Sequence, residues 1–420
     1  MQIIRKIRNK KNIIEEFSSW GPVYKGLSVA MTLAAIAFLV MLIAVDALPA
    51  SITLTFIGFM LLLLAGAGLL FGRKRKGLRI IGIFLAVFFV VIYGTGAYYM
   101  STTYIMLERI SVESQEAQAL AKKVNVAEEP FNVYITGIDQ WAKEKGLDLE
   151  RSDVNMIITV SPKTRKILLT SIPRDAYVPL HTTKRMDKLT HTGVYGVDET
   201  LKTVEDWLGF DMNYYIKANF TAVVNIVNAI GCIDVYSPME FNPVKRPQWT
   251  VKKGWNRMNG RQAVAFARER EAFEGKDSIR VENQQRVIEA ILKKLMSSST
   301  LLIKYGDIME AAGESLETNM PTSDMKALIK MQLADLVPWE IETQKIDGEY
   351  DMDYVASLTQ ARQFQVFRTD PASVEKAKKA IDKVMNPTSA EVAQAMAQRQ
   401  KNSMFSFFRN IFSGKKSKKK

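Results

Sequence analysis

The residues best suited to chemistry sit where strand-like runs end. Gly137-Ile138-Asp139 closes the run 131–138, Arg151-Ser152-Asp153 leads into 154–160, and Pro173-Arg174-Asp175 follows 166–172. In open α/β sheets, ligands bind at strand ends near a switch in strand order. Asp139 and Asp153 together suit one hard cation, Mg2+ or Mn2+, which takes oxygen ligands and keeps several waters. On spacing alone they read more readily as turn or cap residues, which Asp commonly is. A second cluster runs through Phe266-Ala267-Arg268-Glu269-Arg270, then Asp277, Arg280 and Gln284. Arg280 and Gln284 are i,i+4 on one helix face, with Asp277 about a turn earlier. Arg268 and Arg270 would diverge on a helix. They reach one ligand only if the helix stops there and the chain extends. Arginine's planar fork matches phosphate oxygens bidentately. Arg151, Arg174, Arg268, Arg270 and Arg280 with two metal-binding aspartates would therefore suit a pyrophosphate. Taken singly, each arginine reads as a surface ion pair; the case rests on their arrangement together.

Composition limits what surrounds such a site. The chain has 420 residues and a net charge of +13. The first hundred residues carry +8 and the last twenty +7, which leaves −2 for the 300 between. A nucleic-acid-binding domain carries its own basic field, so this distribution argues against a nucleic-acid partner. The single Cys232 excludes a disulfide framework and a CxxC zinc site. Two histidines, His181 and His191, leave little room for a histidine metal site or a catalytic triad.

Apolar runs at about 27–45, 52–71 and 78–100 each match the roughly 20 residues that a bilayer core requires. Six Lys/Arg precede or flank the first run and five lie in the 72–79 loop, whereas residues 46–51 have none. The positive-inside rule places the N-terminus and the 72–79 loop in the cytoplasm. Everything after about residue 100 is then extracellular, on a multi-pass cell-membrane protein. No small-residue cleavage site follows the first run, so a removable leader is not expected.

The expected organisation is a basic cytoplasmic segment (1–26), three spans (27–100), an extracellular stalk (101–130), an α/β domain (131–370) and a helical, polybasic tail (371–420). Strands are expected at 131–138, 154–160, 166–172, 214–217, 231–236 and 340–346. Helices are expected at 197–208, 220–230, 260–268, 279–296 and 372–385. Such alternation argues for a sheet with helices on both faces. Residues 404–412 are aromatic and precede a lysine-rich end. That end reads either as a docking element for anionic lipid or wall polymer or as a solvated tail.

Several ordered stretches resemble the LytR–CpsA–Psr family of bacterial envelope proteins. They are FNVYITGID, RSDVNMIITVSPKTRKILLTSIPRDAYVPL, DKLTHTGVYG, YYIKANFTAVVNIVNAIGCIDV, and MNGRQAVAFARER followed by DSIRVENQQ, within about residues 130–296. The resemblance implies a central mixed β-sheet flanked by helices, behind a three-helix membrane region as in capsule-type members. It also implies a phosphotransferase. Such enzymes move a glycopolymer from a polyprenyl-pyrophosphate carrier to a peptidoglycan hydroxyl, with membrane lipid and peptidoglycan as partners. Asp139 and Asp153 match the metal-binding carboxylates. Arg151, Arg174, Arg268, Arg270, Arg280 and Gln284 match the residues holding the pyrophosphate, and Asp277 matches the acid ahead of the last arginine. Val223, Val227, Ile230, Ile288 and Leu292 are candidates for lining the prenyl pocket, with ordinary core packing as the alternative for each. The sequence departs from the family pattern at Asn283, where an arginine is common, at Lys188–Thr192, and at Gly231-Cys232, where a glycine pair is usual.

Two other functions remain open on sequence grounds. One is a regulator or attenuator of transcription, which an extracellular domain could not perform by touching DNA. The other is a polyprenyl-pyrophosphate hydrolase, in which water replaces the sugar hydroxyl at the same site.

Overall fold

A computed structural model describes residues 20–73, 75–110, 121–138, 152–244, 246–273, 276–296, 304–313, 316–335, 337–358 and 362–402. The chain forms two compact units, Met1–Ile105 and Met106–Lys420.

The first unit contains α1 (Pro22–Val45), α2 (Ala50–Phe71) and most of α3 (Lys76–Ile110). All three are long and apolar enough to cross a membrane. Proline occupies the first turn of α1, where its missing N–H costs nothing. Phe38 and Tyr93 meet edge-on at 5.0 Å, and the Tyr93 hydroxyl donates to the Phe56 carbonyl at 3.0 Å. Large side chains such as Leu33, Ile43 and Phe84 stay on the outside, as lipid-facing residues would. The third helix runs on to Ile110, so residues 101–110 continue the helix rather than forming a polar stalk.

The second unit is built on one six-stranded mixed sheet. Its strands are β1 (Phe131–Ile138), β2 (Ser152–Ser161), β3 (Lys166–Ile172), β6 (Tyr214–Asn219), β9 (Leu316–Thr318) and β10 (Glu340–Lys345), in the order β10-β3-β2-β1-β6-β9. Two short strands, β4 (Tyr177–Pro179) and β5 (Met186–Lys188), form a separate ribbon. So do β7 (Ile233–Ser237) with β8 (Gly254–Met258), and β11 (Gly348–Asp353) with β12 (Phe364–Thr369). The β1–β2 and β2–β3 pairs are antiparallel, and β1–β6 and β3–β10 are parallel.

Period-two alternation sorts the sheet's side chains onto two faces. Tyr134, Ile157, Leu168 and Tyr215 point one way and pack with α5 (Val197–Leu208) and α11 (Pro371–Met385); the short α4 (Leu189–Thr192) joins them through Leu189. Val133, Met156, Ile158, Ile167 and Leu169 point the other way, toward α8 (Lys276–Leu295) and α10 (Thr322–Asp335). A further cluster joins the β7–β8 hairpin to α6 (Phe220–Ala229), α7 (Gly260–Arg268) and the far side of α8, with Ile308 of α9 (Tyr305–Gly313). Helix α12 (Ser389–Asn402) follows α11.

Two boundaries differ from the sequence reading. Val374, Ala377, Ile381 and Val384 of α11 are buried in the first cluster. The α/β unit therefore extends through Met385, and α11 is not part of a tail. The expected strand at 231–236 lies outside the main sheet, paired with β8, because Gly231 (φ 80°) and Cys232 (φ 72°) both adopt the left-handed conformation and turn the chain away. A glycine pair suits that turn sterically. The aromatic and lysine-rich end at 404–420 lies outside the described residues.

Candidate active site

The sheet topology brings several strand ends to one edge. Ile138 pairs with both Ser152 and Asn219, and Asn155 pairs with Ile172. The ends of β1, β3 and β6 thus meet the start of β2. A register shift at Gly137/Ile138 accompanies the opening of β2. A buried polar network holds that opening in place. Ser152 Oγ lies 2.7 Å from Thr136 Oγ1, Asn155 Nδ2 donates to the Ser152 carbonyl at 3.2 Å, and the Tyr134 hydroxyl donates to Asn155 Oδ1. Asp153 follows Ser152, and its Oδ1 accepts from Arg174 Nη1 at 2.9 Å.

Arg174 is fixed from behind as well. Its carbonyl accepts from Thr190 N at 2.8 Å, and Asp175 faces Lys188 Nζ at 3.3 Å. His191 supports this segment. Its Nδ1 lies 2.7 Å from Asp187 Oδ1 and 2.9 Å from Ser357 Oγ, while Ser357 N donates to Asp187 Oδ2 at 2.7 Å. The residues 188–192 that depart from the family pattern are thus a buried brace beneath Arg174.

Helix α7 meets the condition that the sequence set for Arg268 and Arg270. It stops at Arg268, and Glu269 is extended with ψ 130°. The turn is locked by the Glu269 carboxylate, which is buried. Oε1 accepts from the backbone N–H of Arg270, Glu271 and Ala272 at 3.0, 2.8 and 3.0 Å, and Oε2 accepts from Val244 N at 2.8 Å. The Arg268 guanidinium sits 4.2 Å over the Phe220 ring, a geometry that fixes its direction through cation–π attraction. At the start of α7, Asn259 and Gln262 form a reciprocal capping box. Gly260 lies so close to α6 that a β-carbon there would stand 2.2 Å from the Val224 carbonyl oxygen.

These elements enclose a cavity of about 480 Å³ lined by Asp153, Arg174, Arg268, Arg270, Arg280 and Gln284. Six of the nine residues named from the sequence therefore share one space. Asp139 and Arg151 lie outside the described residues. Asp277 belongs to α8, but its side chain lies outside the description. Arg280 is buried, at 9 % exposure, so an anion beside it would be largely shielded from water.

Sequence reasoning missed other parts of the wall. Phe220, Val224, Pro243, Val244, Val264 and Ala265 supply an apolar side, and Arg246 and Arg261 bring the arginines to six against the carboxylates of Asp153, Glu269 and Glu271. The expected prenyl-lining set does not form one surface. Val223, Val227 and Ile230 belong to the α6–α7 cluster, Ile288 and Leu292 pack on the sheet, and none lines the cavity. Asn283 faces the α7–α8 contact. It donates to the Phe266 carbonyl at 3.4 Å and accepts from Arg286 at 2.9 Å, and it is not among the residues lining the cavity.

Among the described residues, no group of three or more metal-binding side chains gathers. Asp153 nevertheless fits a magnesium-type ion held through one or two carboxylates, waters and phosphate oxygens, because its carboxylate lines the cavity beside the arginines.

The family model of the LytR_cpsA_psr family matches residues 100–383, and the chain belongs to that family. A relative from Bacillus licheniformis, named polyisoprenyl-teichoic acid–peptidoglycan teichoic acid transferase TagU, is 31% identical over 259 residues, covering 60% of this chain and 81% of its own. The Bacillus anthracis protein of the same name is 32% identical over 247 residues, covering 57% and 79%. Among solved structures, B. subtilis TagV matches with a TM-score of 0.51 at 28% identity, covering 62% of this chain and 99% of its own. TagT bound to LIIa-WTA matches with a TM-score of 0.51 at 26% identity, covering 66% and 99%.

Proposed function

We propose that the protein is a membrane-anchored phosphotransferase that attaches a polyprenyl-pyrophosphate-linked glycopolymer to peptidoglycan. The observation that carries this reading is the convergence of six arginines from four separate stretches of chain on one cavity. A pyrophosphate diester is the ligand whose charge and oxygen geometry such a set matches. The names of the relatives, which are teichoic acid transferases, support the same class of substrate. The polymer itself is a teichoic acid, a capsule or another wall polysaccharide. The three apolar helices would anchor the enzyme in the cell membrane, with the α/β unit on the outer side as the basic flanks predict.

In this reading Arg174, Arg268, Arg270 and Arg280, with Arg151, neutralise the diphosphate, and Gln284 orients one of its oxygens. Asp153, with Asp139, would hold a magnesium-type ion, which supplies further charge neutralisation when bound. The acceptor hydroxyl oxygen attacks the sugar-proximal phosphorus. A new P–O bond forms, the P–O bond to the bridging oxygen breaks, and prenyl phosphate leaves with that oxygen. The hydroxyl proton passes to a carboxylate. Glu269 is excluded as that base, since its oxygens already accept four backbone N–H bonds. Asp277 and Glu271 are the candidates, and Asp153 joins them only where it is free of the ion.

The test is transfer of a radiolabelled lipid-linked polymer to peptidoglycan by the purified full chain. Arg268→Ala and Arg280→Ala should abolish transfer while the protein melts cooperatively. Wild-type rates from either variant would refute the assignment. Polymer released but never joined to peptidoglycan would favour the hydrolase.

A further inference from the structure

The β7–β8 hairpin has two chemically different faces. Ile233, Val235 and Met258 face the core. On the outer face Tyr236 lies directly across from Trp255, and Asp234 across from Arg257. The two aromatic rings meet edge-on at 5.6 Å, with Trp255 72% and Tyr236 45% exposed. They occupy the end of the hairpin next to the connection 238–253. That connection exposes Met239 and Val244 as well. Arg246, Lys252, Lys253 and Arg257 are exposed in the same region, against the acids Asp234 and Glu240.

We propose that this surface docks the α/β unit on an anionic lipid bilayer through Tyr236, Met239, Val244 and Trp255, with Lys252 and Lys253 at the headgroups. The composition discriminates between partners. Tyrosine and tryptophan favour the membrane–water interface, and lysines near anionic headgroups add attraction. Exposed aliphatic side chains such as Met239 and Val244 bury into the acyl boundary, whereas they offer a sugar ring no stacking face. The chain also carries helices long and apolar enough to cross a membrane, so a bilayer is always at hand. The surface is continuous with the cavity, because Pro243, Val244 and Arg246 of the connection line its wall. Docking would set the cavity mouth at headgroup depth, where the diphosphate of a lipid carrier lies. The inference rests on the anchoring proposed above and is independent of the transfer chemistry.

The experiment uses the full chain with Cys232→Ser and a nitroxide on Met239→Cys, in vesicles of phosphatidylglycerol and phosphatidylcholine. Oxygen collisions should exceed those of a water-soluble nickel complex at position 239, with the reverse at a control label on Lys379→Cys of α11. Trp255→Ser with Tyr236→Ser should return the position 239 label to water. Lys252→Gln and Lys253→Gln should each weaken docking about fivefold, and omission of the anionic lipid, which removes both attractions, about 25-fold or more. A position 239 label in water in anionic vesicles would overturn the proposal. So would lipid contact unchanged by all four substitutions. Shielding that appears only on adding soluble peptidoglycan fragments would overturn it in favour of a glycan platform. A label on Leu33→Cys of α1 reports the anchoring itself, so failure there is distinguishable from failure of the docking surface.

Discussion

Gly260→Ala is the sharpest test of how the fold builds the cavity. The new β-carbon would stand 2.2 Å from the Val224 carbonyl oxygen, 2.6 Å from its Cα and 2.8 Å from its carbonyl carbon. An ordinary carbon–oxygen contact is about 3.3 Å, so α6 and α7 must part by about 1 Å. Both helices line the cavity, through Phe220 and Val224 on one side and Arg261, Val264, Ala265 and Arg268 on the other. A misplacement of about 1 Å costs catalysis on the order of 100-fold. Overpacking costs about 1–3 kcal/mol of stability, a melting-temperature loss of roughly 2–5 °C for a unit of this size. The control is Ala377→Val, which overpacks the α11 cluster that contributes no cavity residue. Transfer rate and melting curve are measured on both variants. Both should melt lower, and only Gly260→Ala should lose transfer beyond the loss of folded protein. If the two variants lose transfer equally, the α6–α7 contact does not set the positions of the arginines.

Three further outcomes follow from the same geometry. Glu269→Gln places an amide N–H2 against backbone donors, so it should cost about 2 kcal/mol in stability and lower transfer at least about tenfold, read by melting and by the transfer assay. Burial pushes the Asp187 carboxyl up, but hydrogen bonds from His191, Ser357 and the Lys188 N–H outweigh this and hold it below its ordinary value. A depressed carboxyl contributes stability that is fully present above the unfolded value near 3.8 and is lost as pH falls through the folded one. Asp187→Asn should therefore lower stability at neutral pH and flatten the acid limb of a pH–stability curve. Chelation of divalent metal should slow transfer to a residual rate set by the arginines. Asp153→Asn should lower the rate and blunt any further effect of the chelator.

Much of the site was legible because arginines and aspartates at strand ends are few, and because the helix stop at Arg268 could be posed as a condition. The arrangement of Asp153 with Arg174 follows from antiparallel pairing of β2 and β3 alone. Arg246 escaped notice because nothing periodic marks the connection 238–253, whereas Arg261 was readable, since Arg261, Val264, Ala265 and Arg268 fall at i, i+3, i+4 and i+7 on one face of α7. The role of Glu269 was not legible, since a side chain whose partners are backbone N–H groups leaves no trace in spacing. The prenyl-lining candidates divide between two clusters, because one helix, α8, turns Val287 and Ala290 to one and packs Ile288 and Leu292 against the other. By contrast, the spacing of Val374, Ala377, Ile381 and Val384 was a readable core stripe, and the tail boundary at 370 overlooked it.

The central claim is that arginines from distant stretches grip one lipid-borne diphosphate. Its most direct test is the affinity of the full chain, in detergent, for a polyprenyl pyrophosphate and the matching monophosphate. The diphosphate should bind more tightly, and Arg174→Ala, Arg268→Ala and Arg280→Ala should each weaken it about tenfold or more without unfolding the protein. Equal affinity for the two lipids, unchanged in all three variants, would contradict the account.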